Sequence, residues 1–273
     1  MTPNPLIITV APNGAYKLTA DHAAVPLTAY SLAATAKACL DAGAAMLHMH
    51  IRDAQGKHSL DVQGYRDALQ VVKAAVGDEM VLQITSEAAK VYQAPEQIAM
   101  VQALRPEAVS VGLRELDQPA IGDAGLAQFF GWLARERIMT QVILYDVADL
   151  QRWQQLRDSG VIPDAPWFLL FVLGRYTVGQ TSSPLDLVPF VHAHTGIEPW
   201  AMCAFGATEH ACAAAAAALG GHARVGFENN LLLKNGLVAP DNAALVQQVV
   251  QVAASLGRPI ATAHDIRQRF AAA

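Results

Sequence analysis

Short apolar runs alternate with helix-like stretches about eight times along this 273-residue chain. The runs occupy residues 6–11, 45–51, 80–85, 108–113, 141–145, 168–173, 200–204 and 224–227. Brief apolar runs set between helical segments read as strands buried in a parallel sheet. The stretches between them carry helix starts and stops. Thr28 can cap a helix running to Gly43, and Asp61 one running to Gly77. Pro95 fits the first turn of a helix ending before Pro106, and Thr208 can cap an alanine-rich helix that closes on Gly220-Gly221. Pro240-Asp241 opens a helix reaching Gly257, and the tail from Arg258 reads as an extra C-terminal helix on the outside. Such units in one domain, 1–273, with no linker rich in Pro, Gly or Ser, predict an α/β fold of the (β/α)8 TIM-barrel type. A doubly wound sheet is the alternative. It is weakened because Pro12-Asn13-Gly14 forms only a turn after the first strand, where a dinucleotide fold carries its glycine fingerprint.

Composition narrows the function. With 53% hydrophobic and 16% charged residues, the chain can bury a large core. A formal net charge of −5 with 19 Lys plus Arg provides no basic stripe for nucleic acid. No uncharged apolar run approaches the roughly 20 residues needed to span a bilayer. Met1-Thr2-Pro3-Asn4-Pro5 lacks the basic start of a signal peptide. Cys39, Cys203 and Cys212 sit in apolar segments without metal spacing, as small buried hydrophobes do in a reducing compartment. A soluble cytoplasmic protein is expected.

In a barrel, the strand ends carry the chemistry. His48-Met49-His50 closes the second run, and side chains two apart on a strand project to one side. Two imidazoles so placed can chelate a divalent cation; the alternative is a pair of hydrogen-bonded core histidines. His192 and His194 share the spacing but fall in a helical stretch, where positions two apart do not share a face, so they read as surface residues. Other strand ends offer Asn13 and Tyr16, Arg52, the trio Thr85, Ser86 and Glu87, then Arg114 and Glu115, Arg175, and Glu228-Asn229-Asn230. Arg224, Gly226 and Glu228 share one face of the last strand by period two, and if that face points inward Gly226 leaves room for a ligand between a guanidinium and a carboxylate. Because the eighth strand closes against the first, Glu228 can approach His48 and His50 to make a two-histidine, one-carboxylate site with open positions. The alternative is an Arg224–Glu228 or Arg224–Glu115 ion pair plugging the barrel.

His48-Met49-His50-Ile51-Arg52-Asp53, followed far along the chain by Gly220-Gly221-His222-Ala223-Arg224-Val225-Gly226-Phe227-Glu228-Asn229-Asn230, resembles the β-keto acid cleavage enzymes. Their founding activity is 3-keto-5-aminohexanoate cleavage. Gln83-Ile84-Thr85 and Phe171-Val172-Leu173-Gly174 match between the two motifs, and the likeness runs from Leu6 to Thr262. The resemblance implies a zinc ion held by His48, His50 and Glu228, with Arg224 acting at the reacting carbon. It also implies acetyl-CoA as co-substrate, with acetoacetate and a new acyl-CoA as products. The expected partners are a small β-keto acid and acetyl-CoA, in a homo-oligomer that engages neither nucleic acid nor membrane.

Two departures from that family bear on the base. An aspartate follows the metal-binding glutamate in the family, where this chain has Asn229, and Tyr16 stands where the family has a glutamate. An amide at the catalytic position Asn229 cannot accept a proton at neutral pH. Glu87 or Glu115 can restore a carboxylate; either can equally form a rim salt bridge with Arg52, Arg114 or Lys90. Asn13, Thr85, Ser86, Glu115 and Arg175 are the expected substrate-binding residues. Ile143 replaces an acidic residue that holds the substrate amine in amino-acid-cleaving members, which argues against an aminated substrate. A CoA-independent metal-dependent lyase or aldolase, and a non-catalytic metal- or small-molecule-binding protein, are the competing readings.

Overall fold

The computed structural model describes residues 4–270. The two ends of the expected 1–273 domain, and the Met1-Thr2-Pro3 start considered for a leader, lie outside them. Eight parallel strands close into a barrel: β1 (Ile8–Val10), β2 (Met46–Met49), β3 (Val81–Thr85), β4 (Ala108–Gly112), β5 (Met139–Leu144), β6 (Phe168–Leu173), β7 (Trp200–Ala204) and β8 (His222–Val225). Their order is β1-β8-β7-β6-β5-β4-β3-β2, so β1 lies between the two strands that carry the recognisable motifs. Ile8 pairs with Ala223 on one side of β1, and Thr9 with Met46 on the other. This closure brings the ends of β2 and β8 to within one strand of each other.

Helices α1 (Ala29–Asp41), α2 (Val62–Val76), α3 (Ala94–Leu104), α4 (Gly122–Arg135), α5 (Val147–Asp158), α6 (Leu187–Ala193), α7 (Glu209–Ala218) and α8 (Asn242–Ser255) follow the strands in turn. Several start as their sequence predicts. Thr28 and Asp61 accept the Ser31 and Gly64 backbone N–H groups at 3.2 and 2.6 Å. Thr208 does not cap α7 in this way; its hydroxyl donates instead to the Ser182 carbonyl at 2.6 Å. His192 is exposed on α6, as expected. His194 is not merely surface: its Nε2 lies 2.9 Å from the Glu198 carbonyl and its ring packs edge-on against Phe171.

The extra helix α9 (Ala263–Phe270) is present but is not an external appendage. Ala263, Ile266 and Phe270 pack with Ile7, Met46, Val81 and Phe168 into a separate apolar cluster. That cluster seals the N-terminal end of the barrel. Thr9, Gln83, Ser110 and Gln141 are buried polar residues of the barrel strands, with Gln83 in register with His48 of β2 and Thr9 with Arg224 of β8.

Two strand boundaries differ from expectation, with consequences for the site. The second strand stops at Met49, and His50 leads into a ribbon in which Ile51 pairs with Ser59 and Arg52 with His58. The eighth stops at Val225, so Arg224, Gly226 and Glu228 do not share a continuous strand face. Gly226 has φ +140° and its hypothetical Cβ lies 2.4 Å from the Ala11 carbonyl oxygen. The glycine therefore makes room for the first strand's backbone, not for a ligand. The turn it permits lets the Glu228 N–H donate to the same Ala11 oxygen at 3.0 Å and swings the carboxylate inward. Gly226→Ala combines a strained φ with a backbone clash. It should cost about 1–3 kcal/mol of unfolding free energy in urea denaturation; wild-type stability would show that the turn relaxes around a side chain.

Candidate metal centre and active site

Three possible ligand atoms meet at the C-terminal mouth of the barrel. His48 Nε2 and His50 Nε2 are 3.2 Å apart. Glu228 Oε2 lies 3.4 Å from the first and 3.5 Å from the second. Both histidines are buried and Glu228 nearly so. The surrounding bonds determine which nitrogens carry hydrogen. Gln83, the partner of His48 in the β2–β3 register, donates its amide N–H to Gln141 at 3.4 Å and turns its oxygen to His48 Nδ1 at 2.8 Å. His48 therefore donates from Nδ1 and keeps its lone pair on Nε2. Burial, reinforced by the Arg224 charge, lowers its pKa to about 3, so the ring is neutral.

Glu228 supplies the negative charge. Burial pulls its pKa upward, but the neighbouring Arg224 guanidinium and then the histidines hold the carboxyl well below its ordinary value. Arg224 Nη2 donates to Glu228 Oε1 at 3.0 Å and to Cys203 Sγ at 3.5 Å. The Arg224–Glu228 ion pair thus exists, yet it leaves Glu228 Oε2 free for the cluster. Among the described residues that oxygen has no hydrogen-bond partner, nor do Arg224 Nε and Nη1.

The donor set fits a divalent cation. Buried acceptors facing one another with no donor between them are costly unless a cation joins them. Ligand atoms about 2.0–2.2 Å from one tetrahedral ion lie roughly 3.3–3.5 Å apart, close to the separations found here.

The other expected residues divide by position. Asn13 lines the cavity and clamps His50: its Nδ2 donates to the His50 carbonyl at 2.9 Å and its Oδ1 accepts the His50 N–H at 3.3 Å. Thr85 lines a small inner chamber, and its hydroxyl accepts the Glu87 N–H at 3.0 Å. Ser86 is buried and donates to the Ser110 carbonyl at 3.4 Å, outside the cavity lining. Glu87 lies in the cavity wall, Oε2 3.8 Å from His50 Nε2 and Oε1 3.3 Å from Arg175 Nη2. Its ionic partner is Arg175, not Arg52, Arg114 or Lys90. Arg175 is held over the Tyr16 and Phe205 rings at 5.2 and 5.0 Å.

Glu115 sits on a single helical turn, Leu113–Leu116, behind this wall; its Oε2 accepts the Ala88 N–H at 2.9 Å. It supports the Glu87 loop and does not line the cavity. Asn229 is buried with both side-chain polar atoms unpartnered among the described residues, and it lines neither chamber.

Further supports surround the centre, and of these Lys17 and Glu209 carry no sequence signal of their own. Lys17 Nζ donates to the Glu228 carbonyl at 2.8 Å. Arg52 holds the loop after β1 by donating to the Gly14 and Lys17 carbonyls at 2.6 and 2.9 Å. Glu209 accepts the Gly226 N–H at 3.1 Å and the Asn230 amide at 3.3 Å; burial raises its pKa to about 8.

The outer cavity has a volume of about 410 Å³ and runs between Asn13–Lys17, Gln180 and Arg175 down to Glu87 and Glu228. Below it the inner chamber, about 20 Å³, has Ile143, Tyr145, Val172 and Phe205 opposite His48, Arg224 and Glu228.

Fold and site together define a (β/α)8 barrel with a two-histidine, one-carboxylate centre under an open cavity. The beta-keto acid cleavage enzyme family model matches residues 5–271, and the chain belongs to that family. It is 29% identical to the 3-keto-5-aminohexanoate cleavage enzyme of Fusobacterium nucleatum over 96% of each chain. It is 28% identical to the 3-oxoadipate:acetyl-CoA acetyltransferase of Cupriavidus necator, over 96% of this chain and 93% of that one. Among solved structures, a binary complex of ObcA with oxaloacetate matches 91% of this chain and 67% of that chain, with a TM-score of 0.72 and 16% identity, a likeness of fold. Among the described residues, no helix is long and apolar enough to cross a membrane.

Burial raises the Glu115 pKa from 4.5 to about 7. The folded protein therefore binds this proton more tightly than the unfolded chain, and stability falls as pH rises between those values. Glu115→Gln, which keeps an acceptor for Ala88, should gain melting temperature over wild type as pH increases across that window and level off above it. A pH-independent difference between the two melting curves would remove the buried carboxyl as the cause.

Proposed function

We propose that this protein uses a zinc or similar divalent ion, held by His48, His50 and Glu228, to exchange acyl groups between a β-keto acid and acetyl-CoA. The convergence of two buried imidazole nitrogens and a carboxylate oxygen within 3.2–3.5 Å of one another carries this reading. Membership of the family and the names of its acetyl-CoA-dependent relatives support the reaction type. When bound, the ion supplies Lewis acidity to the keto oxygen and carboxylate, which acidifies the carbon between them.

Glu87 is the base in this scheme. Its carboxylate lies in the wall of both chambers, beside the centre, and Arg175 orients it. It takes a proton from the activated carbon, and the two free N–H groups of Arg224 stabilise the resulting oxyanion. The carbanion attacks the acetyl carbonyl, forming a carbon–carbon bond and releasing the CoA thiolate. The thiolate then attacks the original keto carbon, and the bond to the adjacent carbon breaks. Glu87 returns its proton to the departing enolate, giving acetoacetate and the new acyl-CoA. Asn13 and the Thr85–Glu87 loop hold the centre and the base in register. The inner chamber meets the substrate with Ile143, Val172 and Phe205, so the acid carries a short, uncharged side chain.

Metal analysis of the purified protein, followed by acetoacetate release from a panel of β-keto acids with acetyl-CoA, tests the reading. Release that depends on acetyl-CoA and is greatest for short, uncharged acids is expected. Turnover without acetyl-CoA would instead identify a lyase, and metal binding without any turnover a binding protein. Glu87→Gln should lower turnover about 10²-fold or more with metal content unchanged. Full activity in this variant would pass the proton to another group.

A further inference from the structure

One buried imidazole beside the centre takes no part in the steps above. His58 lies on the returning arm of the ribbon, opposite Arg52, and is 7% exposed. Its Nδ1 is 3.3 Å from His50 Nδ1, and its Nε2 is 2.9 Å from the Glu87 carbonyl oxygen. Ring contacts with His50 and Tyr92 hold its plane. The Tyr92 hydroxyl is itself fixed by the Leu60 N–H at 3.2 Å.

We infer that His58 is a positioning residue: by relaying the Glu87 carbonyl to His50, it keeps the hydrogen of His50 on Nδ1 and leaves Nε2 bare for the ion. The inference rests on the metal-dependent reading above. A carbonyl oxygen only accepts, so the His58 hydrogen stands on Nε2 and its Nδ1 presents a lone pair. Across the 3.3 Å contact His50 must then donate from Nδ1. With the hydrogen on His50 Nε2, either the two Nδ1 atoms face each other as acceptors or His58 turns its hydrogen to His50 and loses the Glu87 carbonyl. One bond of the relay is lost in both cases, and a hydrogen then stands beside His48 Nε2 and Glu228 Oε2. The relay also explains a chemical feature of the centre. Histidine ligands are commonly backed by carboxylates, which make them stronger donors. Here the outer partners are the Gln83 amide and the His58 imidazole, both neutral. Weaker donation from the histidines leaves more positive charge on the ion, as carbon-acid activation requires.

Imidazole ¹⁵N NMR of the metal-free protein reads the tautomer, and competition with a zinc chelator reads affinity. Wild type should show His50 protonated at Nδ1. His58→Phe should lose that preference and bind zinc about 10–100-fold more weakly. His58→Asn, whose side-chain oxygen can take the His50 proton, should recover most of the affinity; a role in packing alone would favour phenylalanine. Circular dichroism verifies that each variant is folded. An Nε2-protonated His50 in wild type, or a folded His58→Phe with wild-type tautomer and zinc affinity, would overturn the relay. A wild type with the Nδ1 tautomer that takes up no zinc would establish the relay and overturn the metal reading. Should the phenylalanine variant not fold, the wild-type tautomer still decides.

Discussion

Two lone pairs and a carboxylate oxygen facing one another across 3.2–3.5 Å make the interaction on which the rest of this barrel mouth depends. Three acceptors cannot satisfy one another. Left to themselves they would collect protons, separate, or turn to other partners. The surrounding structure blocks each escape. Gln83 and His58 occupy the Nδ1 sides of the two rings, Asn13 grips the His50 backbone from both directions, and Arg224 holds the other oxygen of Glu228. A ligand set frustrated in this way has its ordering cost met by folding, so the proposed cation would meet donors already in place.

That frustration is affordable because most of the barrel's burial is apolar. The apolar cluster sealed by α9 runs from the far end up to Ile143, Val172 and Phe205 in the inner chamber, and Thr9, Gln83, Ser110 and Gln141 are buried among the strands below the mouth. Closure of β1 between β2 and β8 then joins motifs almost 180 residues apart in sequence. The Ala11 backbone is the joint itself: its carbonyl accepts the Glu228 N–H, and its N–H donates to Val225.

Much of this architecture is legible in the sequence, and the exceptions have physical causes. Alternating apolar runs and capped helices indicate the barrel, because each strand is buried on both faces and each helix has a distinct start. His48 and His50 follow from strand periodicity even though the second lies just beyond the strand, where the extended direction persists. The same periodicity fails at Gly226, since a glycine in a strand-like string does not reveal whether it faces a ligand or a neighbouring backbone. His58 is silent for a different reason. Gly56-Lys57-His58-Ser59 looks like a polar loop, and only the pairing of Arg52 with His58 folds it back against His50. Glu115 reads as a strand-end residue because a run of apolar residues precedes it, but the chain has already turned into a helix there.

The two departures from the family pattern acquire a consequence once the charges are placed. Asn229 and Tyr16 replace carboxylates that in the resembling enzymes support the arginine. Here Asn229 has no polar partner among the described residues, and Tyr16 receives Arg175 on its ring face. Among the described residues Arg224 is thereby left with Glu228 as its one ion-pair partner, and its Nε and Nη1 hydrogens stay unclaimed. An arginine surrounded by carboxylates belongs to the base; one with free N–H groups toward the chamber is a receptor for developing negative charge. The negative group that the proposed reaction needs then comes from another strand end, where Arg175 holds Glu87 and the Thr85 hydroxyl and Glu115 fix its loop. In the proposed reaction, losing the two family carboxylates therefore leaves the two halves of the chemistry on separate residues: oxyanion binding to Arg224 and proton transfer to Glu87.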